Sequence, residues 1–214
     1  TVDVQDGNLH LYNTGSYSGD FNSPGGGRLY FNGDHTLLSG ADVAGRVYVA
    51  SGTTTFSSGS TLAGAFTVSG SATLVDVQSG ALLAPDILNL QSGTFQTAED
   101  VHVNQALNWS NHNSSYSSVL GGAGRVLAQG GMSLSGPYIK QLGLDSSDTT
   151  TLVNVAGQTA YLHDGTLLLK GAGTTFENQA GAIFEATRVS PYTVNITGDG
   201  LFDNAGTFLQ TGSG

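Results

Sequence analysis

Apolar and polar residues alternate along this chain in short bursts, as in 9-LHLY-12, 46-RVYV-49 and 65-AFTV-68, and each burst stops at Ser-Gly, Asp-Gly, Gly-Gly or Asn-Ala-Gly. Alternation of period two puts apolar side chains on one face of an extended strand, and the Gly-containing breaks supply turns. Few windows carry apolar residues at helical spacing for more than two turns. The pattern predicts an all-β chain of many short strands.

The bursts also recur. In 44-AGRVYVASGTTTF-56 and 63-AGAFTVSGSATL-74 the same order of small, apolar and hydroxyl residues is written twice. Val47-Tyr48-Val49 is echoed by Phe66-Thr67-Val68, Leu88-Asn89-Leu90, Leu107-Asn108-Trp109 and Val126-Leu127, in steps of about 19 to 22 residues. A second series runs through Phe56, Val75, Phe95 and the Tyr116 region, and Tyr161-Leu162, Ile183-Phe184 and Leu201-Phe202 keep a similar spacing. A period near 20 residues predicts a β-solenoid in which each repeat is one coil, with apolar residues inside and Thr, Ser, Asn and Gln outside. About ten coils stacked roughly 4.8 Å apart make a rod about 50 Å long. Residues 1–214 are expected to form a single solenoid domain, with an irregular loop or wide first coil at 13–28 and an inserted loop at 135–150, where the rhythm breaks.

Composition narrows the classes. Gly is 32 of 214 residues, Pro only 4, and 10% of residues are charged, which suits neither helix nor a charged or Pro-rich disordered tail. The net charge of −10, from 16 acids against 6 bases, leaves no basic patch for nucleic acid or an anionic membrane surface. No apolar run approaches the length of a bilayer span. The chain opens on Thr1 without a leader-like segment, as expected of a processed or excised piece, and it has no Cys. A polar, Cys-free β chain suits a bacterial cell exterior. The Asn-x-Ser/Thr triplets at Asn108, Asn113 and Asn195 are expected by chance in a chain this rich in those residues.

The segments 173-GTTFENQAGAIFEA-186 and 200-GLFDNAGTFLQTGSG-214 resemble the Gly/Thr/Asn-rich repeats of very large bacterial surface proteins. The N-terminal stretch VDVQDGNLHLYNTGSYSGDF is similar to the same class. This resemblance implies a right-handed parallel β-solenoid, as in filamentous adhesins and autotransporter passenger domains, secreted to the cell surface. It has no catalytic residues to carry over, and the 135–150 segment departs from its pattern.

Parallel β-helices also serve as polysaccharide lyases and hydrolases, so catalysis needs its own search. A glycosidase places two carboxylates about 5 to 9.5 Å apart. The candidates are Asp86 with Glu99 or Asp100, and Asp145 with Asp148. Beside Gly and Ser, each of these also fits a turn residue that binds its own backbone. The bases a lyase needs, Arg28, Arg46, Arg125, Lys140, Lys170 and Arg188, are scattered singly. Calcium solenoids repeat an Asp in every turn; here only Asp145 and Asp148 offer a lone calcium site, and no other cofactor is expected. His10, His35, His102, His112 and His163 lack zinc-site spacing, and 121-GGAG-124 lacks the Lys and helix of a phosphate loop. No G-x-S-x-G marks a nucleophile, and no T-x-T array recurs for ice binding. Trp109 and Tyr138 are the candidate sugar platforms, although Trp109 also fits the inward slot held by Val49 and Val68.

A stack of coils exposes strand edges at both ends unless these are capped, and neither terminus reads as an amphipathic capping helix. The expectation is therefore a non-enzymatic extracellular structural or adhesive solenoid. It joins flanking repeats or other copies of itself end to end, with surface glycans as further partners. The alternatives are a carbohydrate-active β-helix enzyme, such as a lyase, hydrolase or tailspike-like depolymerase, and a sugar-binding module.

Overall fold

The computed structural model describes residues 1–113, 118–188 and 193–212, and in it the chain winds through about nine turns of parallel strands. No helix occurs among the described residues, and so none is long and apolar enough to cross a membrane. One inward ladder follows the winding: Leu9, Leu29, Val47, Phe66, Leu88 and Leu107, then Met132, Ala160, Phe184 and Phe208. Its members stack because each coil needs an apolar residue at that place, and every strand pair hydrogen-bonds to the coils before and after it.

The steps of this ladder correct the uniform period. From Leu9 to Leu107 the register advances 18 to 22 residues per coil, and from Leu107 to Phe208 it advances 24 to 28. Met132-Ser133-Leu134, not Val126-Leu127, continues Leu107-Asn108-Trp109. Val126 instead follows Val101 on another face. Likewise Val75 lies against Thr54, while Phe56 meets Val77. The Tyr116 region lies outside the described residues.

The cross-section has three faces. The first two run together as single bent strands in the third to fifth coils, Asp42–Ser51, Thr61–Val68 and Leu82–Leu90. Later coils separate them, as in Arg125–Ala128 and Met132–Ser135. The third face stacks nine strands, from Gly15–Tyr17 to Val194–Gly198. The bend in the middle coils depends on glycine. Gly45 and Gly64 have φ of 94° and 86° and stack directly; a Cβ on Gly64 would lie 2.5 Å from the Gly45 carbonyl oxygen. Ser23, in the coil before, closes the same corner by accepting the Arg46 N–H at 2.8 Å.

Segment 13–28 is not an irregular loop. It contributes Gly15–Tyr17, Phe21–Ser23 and the first residue of Arg28–Asn32 to the first two coils.

The core is aliphatic with aromatic layers; Phe31, Phe56, Phe66, Phe95, Phe176 and Phe184 are fully buried. His35 shares it, 1% exposed, with Nε2 3.2 Å from the Leu11 carbonyl oxygen. Burial pushes its imidazole below its ordinary value, with the Leu11 and Asn32 backbone and the Asp34 charge opposing. The unfolded chain takes up a proton near pH 6.5 and the folded chain resists it, so stability is full above that pH and falls below it. The urea midpoint should drop between about pH 7.5 and 5.5, where few carboxylates titrate. The drop should shrink in His35→Thr, which carries the residue of the neighbouring Thr54 register.

Candidate functional site

The segment 135–150 divides into a strand, Ile139–Leu142, and a loop over 143–150. Asp148 shapes that loop. It is 8% exposed, and its carboxylate accepts the Gly122 N–H at 2.9 Å, the Leu144 N–H at 2.8 Å, and the Thr150 N–H at 2.8 Å and hydroxyl at 2.5 Å. Asp145 accepts the Ser147 N–H at 2.8 Å and hydroxyl at 2.6 Å, which hold its carboxyl below the ordinary range. The sequence pairs these two as a calcium candidate. In the structure Asp148 is committed to loop backbone, and no group of three or more His, Asp or Glu residues gathers for a metal among the described residues.

The loop folds back over the third face, where a Cβ on Gly121 would meet Leu144 Cγ at 2.5 Å. It walls a groove of about 340 Å³ lined by Asp76, Gln96, Thr97, Asp145, Ser147 and Thr149. Two of the lining residues, Asp76 and Gln96, belong to an outward ladder that continues away from the groove through Thr55 and Thr36, and the Gln96 amide donates to Asp76 at 2.8 Å. Amide, hydroxyl and carboxylate groups, the chemistry that meets sugar hydroxyls, line this groove beside the apolar Ala98, Ala123 and Leu144.

The other proposed carboxylates are dispersed. Glu99 accepts the Ser79 hydroxyl at 2.6 Å and the Gly80 N–H at 2.9 Å, and these bonds pull its carboxyl below the ordinary range. It lines a hollow with Asp100 and His102 that does not include Asp86, which sits at the register shift between Pro85 and Ile87. Trp109 takes the inward slot in line with Leu90, Val68 and Val49 and is fully buried, with its indole N–H donated to the Ser118 hydroxyl. Its ring is part of the core and not a platform for sugar. Tyr138 is 39% exposed, beside the 43% exposed Ile139.

Lys140, in sequence one of the scattered bases, has a place that this scatter did not suggest. It points inward, fully buried, with Nζ donating to the carbonyl oxygens of Ser135 at 3.1 Å, Gly136 at 2.6 Å, Tyr138 at 3.2 Å and Asp164 at 3.0 Å. Burial lowers its ammonium to about 8, with the Asp164 charge opposing. The signal was present in 138-YIKQLGL-144, where alternation puts Lys140 on the side of Leu142.

A second outward ladder runs along the second face through His10, Tyr30, Tyr48, Thr67, Asn89 and Asn108. His10, Tyr30 and Tyr48 stack with centroids 4.3 and 4.6 Å apart, and the amides of Asn89 and Asn108 each donate to the coil before, at 3.1 and 3.0 Å. In comparisons with protein-family models, curated proteins and solved structures, nothing matched this chain. The fold and these surfaces therefore carry the functional reading.

Proposed function

We propose that this chain is an extracellular structural or adhesive β-solenoid of a bacterial surface, acting through its faces and ends without catalysis. The observation that carries the reading is how its ionisable groups are used. A hydrolase or lyase needs an acid or base tuned for proton transfer and open to substrate. Glu99 and Asp145 are capping acceptors with lowered values, and the one amine brought near neutrality, Lys140, is sealed inside four carbonyls. The outward ladders of Thr, Asn, Gln and Tyr present repeated hydrogen-bonding groups on a rigid rod instead, as an adhesive surface requires. The Gly/Thr/Asn-rich repeats shared in character with large surface proteins support export to the cell exterior.

Incubation with neutral and uronic-acid polysaccharides, read by new reducing ends and by unsaturated uronate absorbance, should show no turnover. Turnover that vanishes in Asp76→Asn or Asp145→Asn would overturn the proposal in favour of a groove enzyme. A sugar-binding role centred on Tyr138 is the second reading. It is favoured by that ring's exposure and by the Lys140 bond that pins its carbonyl. Saturable glycan binding that is lost in Tyr138→Ala would establish it.

A further inference from the structure

The outward ladder of the second face changes character along the stack. Beyond Asn108 it continues through Ser133, Tyr161 and Glu185. Near its start His10, Tyr30 and Tyr48 cover one another, so that Tyr30 has a ring on both faces. Tyr161 has no such neighbour, because the coils on either side bring Ser133 and Glu185 to that place. Among the described residues its one ring contact is His163 of its own strand, parallel to within 4° at a centroid distance of 5.5 Å. Asn108 and Ser133 therefore lie low in front of a large ring that is 39% exposed.

This step in side-chain height bounds a hollow of about 190 Å³, lined by Asn108, Gly130, Gly131, Ser133, Thr159 and Tyr161, with Ala106 and Met132 adding apolar surface. Glycine keeps it open. Gly131 has a φ of 88°, and a Cβ on Gly130 would overlap the Gln105 carbonyl oxygen of the coil before, so neither place takes a side chain. The polar groups around the hollow are unspent. Asn108 donates one amide N–H to Asn89 Oδ1 at 3.0 Å, while its own Oδ1 accepts nothing among the described residues. The hydroxyls of Ser133, Thr159 and Tyr161 likewise have no partner among the described residues. No lining residue is charged, so a cation meets no carboxylate inside the hollow. An anion is repelled by a chain of net charge −10, with Glu185 in the coil beyond Tyr161.

A ligand for this place offers an apolar face to the Tyr161 ring and hydroxyls to the groups around it, and carries no charge. A pyranose has that form: its ring C–H groups make a flat apolar face, and its hydroxyls project from the edge. The volume lies below the roughly 300 to 1,000 Å³ of sites for drug-sized ligands, and so suits a single ring. We infer that Tyr161, Asn108, Ser133 and Thr159 form a binding site for one neutral pyranose residue of a surface glycan. The inference rests on the adhesive reading above and names its ligand and its place. The sugar ring stacks on Tyr161, Asn108 Oδ1 accepts from one sugar hydroxyl, and the Ser133 and Thr159 hydroxyls bond to others.

The probes are the methyl glycosides of glucose, galactose, mannose and N-acetylglucosamine, with methyl glucuronide as the charged counterpart. Each is titrated into the isotope-labelled full chain and followed by amide chemical shifts. At least one neutral glycoside should give saturable shifts centred on Asn108, Gly130, Gly131, Ser133 and Tyr161, and the glucuronide should bind about tenfold more weakly. Tyr161→Ala should weaken binding about tenfold or more, and Tyr161→Phe, which keeps the ring, should retain most of it. Ser133→Leu fills the hollow from an outward position and should abolish binding while the thermal unfolding curve stays native-like. Tyr138→Ala and Asp76→Asn should leave binding unchanged. The inference is overturned by the absence of saturable shifts with every neutral glycoside, by shifts centred at Tyr138 or under 143–150, by equal affinity for the glucuronide, or by binding that survives Ser133→Leu. New reducing ends from the glycosides would overturn the non-catalytic reading instead, and the shifts at Tyr161 would still decide this one.

Discussion

Lys140→Met should destabilise the folded chain by about 3 kcal/mol or more, because four carbonyl oxygens around a fully buried ammonium lose their shared donor at once. The lost bonds tie together the turn at 135–138 and the corner at Asp164, one coil later. The effect should therefore be seen as a lower urea midpoint and as faster amide exchange in Ile139–Leu142 and Gly165–Leu169, which pair across those coils. The pH dependence gives a second check. Folding lowers the ammonium from 10.5 to about 8, so between these values the unfolded chain holds a proton that the folded chain has released. Stability contributed by this group then rises with pH across that window, by up to about 1.4 kcal/mol per pH unit, and is flat below it. The stability gap between the native chain and Lys140→Met should widen above pH 8. A gap that is constant with pH, or a loss below about 1 kcal/mol, would mean that the amine is not held as the geometry describes.

Trp109→Ala should cost about 3 to 5 kcal/mol, the range for emptying a large aromatic slot in a packed core. Trp109 is fully buried, and the coils on either side place Leu90 and Leu134 against it, so the void has rigid neighbours and little room to collapse. The Ser118 hydroxyl, itself buried, loses the indole donor as well. Trp109→Phe should recover much of the loss, since it refills most of the slot and leaves a smaller void and the hydrogen bond unmade. Denaturation followed by circular dichroism measures both variants, and the native indole should emit at shorter wavelength than tryptophan in water. Native stability in Trp109→Ala would put the ring outside the core and return it to the list of sugar platforms.

Much of this architecture was legible from local pattern. The alignment of Val49, Val68, Leu90 and Trp109 reads correctly because strand alternation and a near-constant coil length give those residues the same phase. It is lost after Trp109, where the coils lengthen. Val126-Leu127 has the right composition for the second face but belongs to the first, since alternation identifies the inward side of a strand and not which of three faces the strand occupies. The Phe-x-Asn repeats at 176–178 and 202–204 were visible as a resemblance, but their meaning as an amide and aromatic ladder needed the register.

The candidate site was less readable for a related reason. Asp145 and Asp148 stand out in the sequence as a close acidic pair, yet one folds the loop around its carboxylate and the other caps Ser147. Lys140 has the opposite history: a lone base in sequence becomes the most enclosed charge in the molecule, because its acceptors come from 135, 136, 138 and 164. The sequence alone was enough for the all-β class, the coiled repeat and the inward phase of its early strands, since these follow from two-residue alternation and Gly-marked turns. The widening of the later coils and the groove under 143–150 arise from contacts between residues about 20 or more positions apart, and the buried ammonium draws one of its four acceptors, Asp164, from the next coil. Local preference carries no information about such contacts, and they form only when the coils stack.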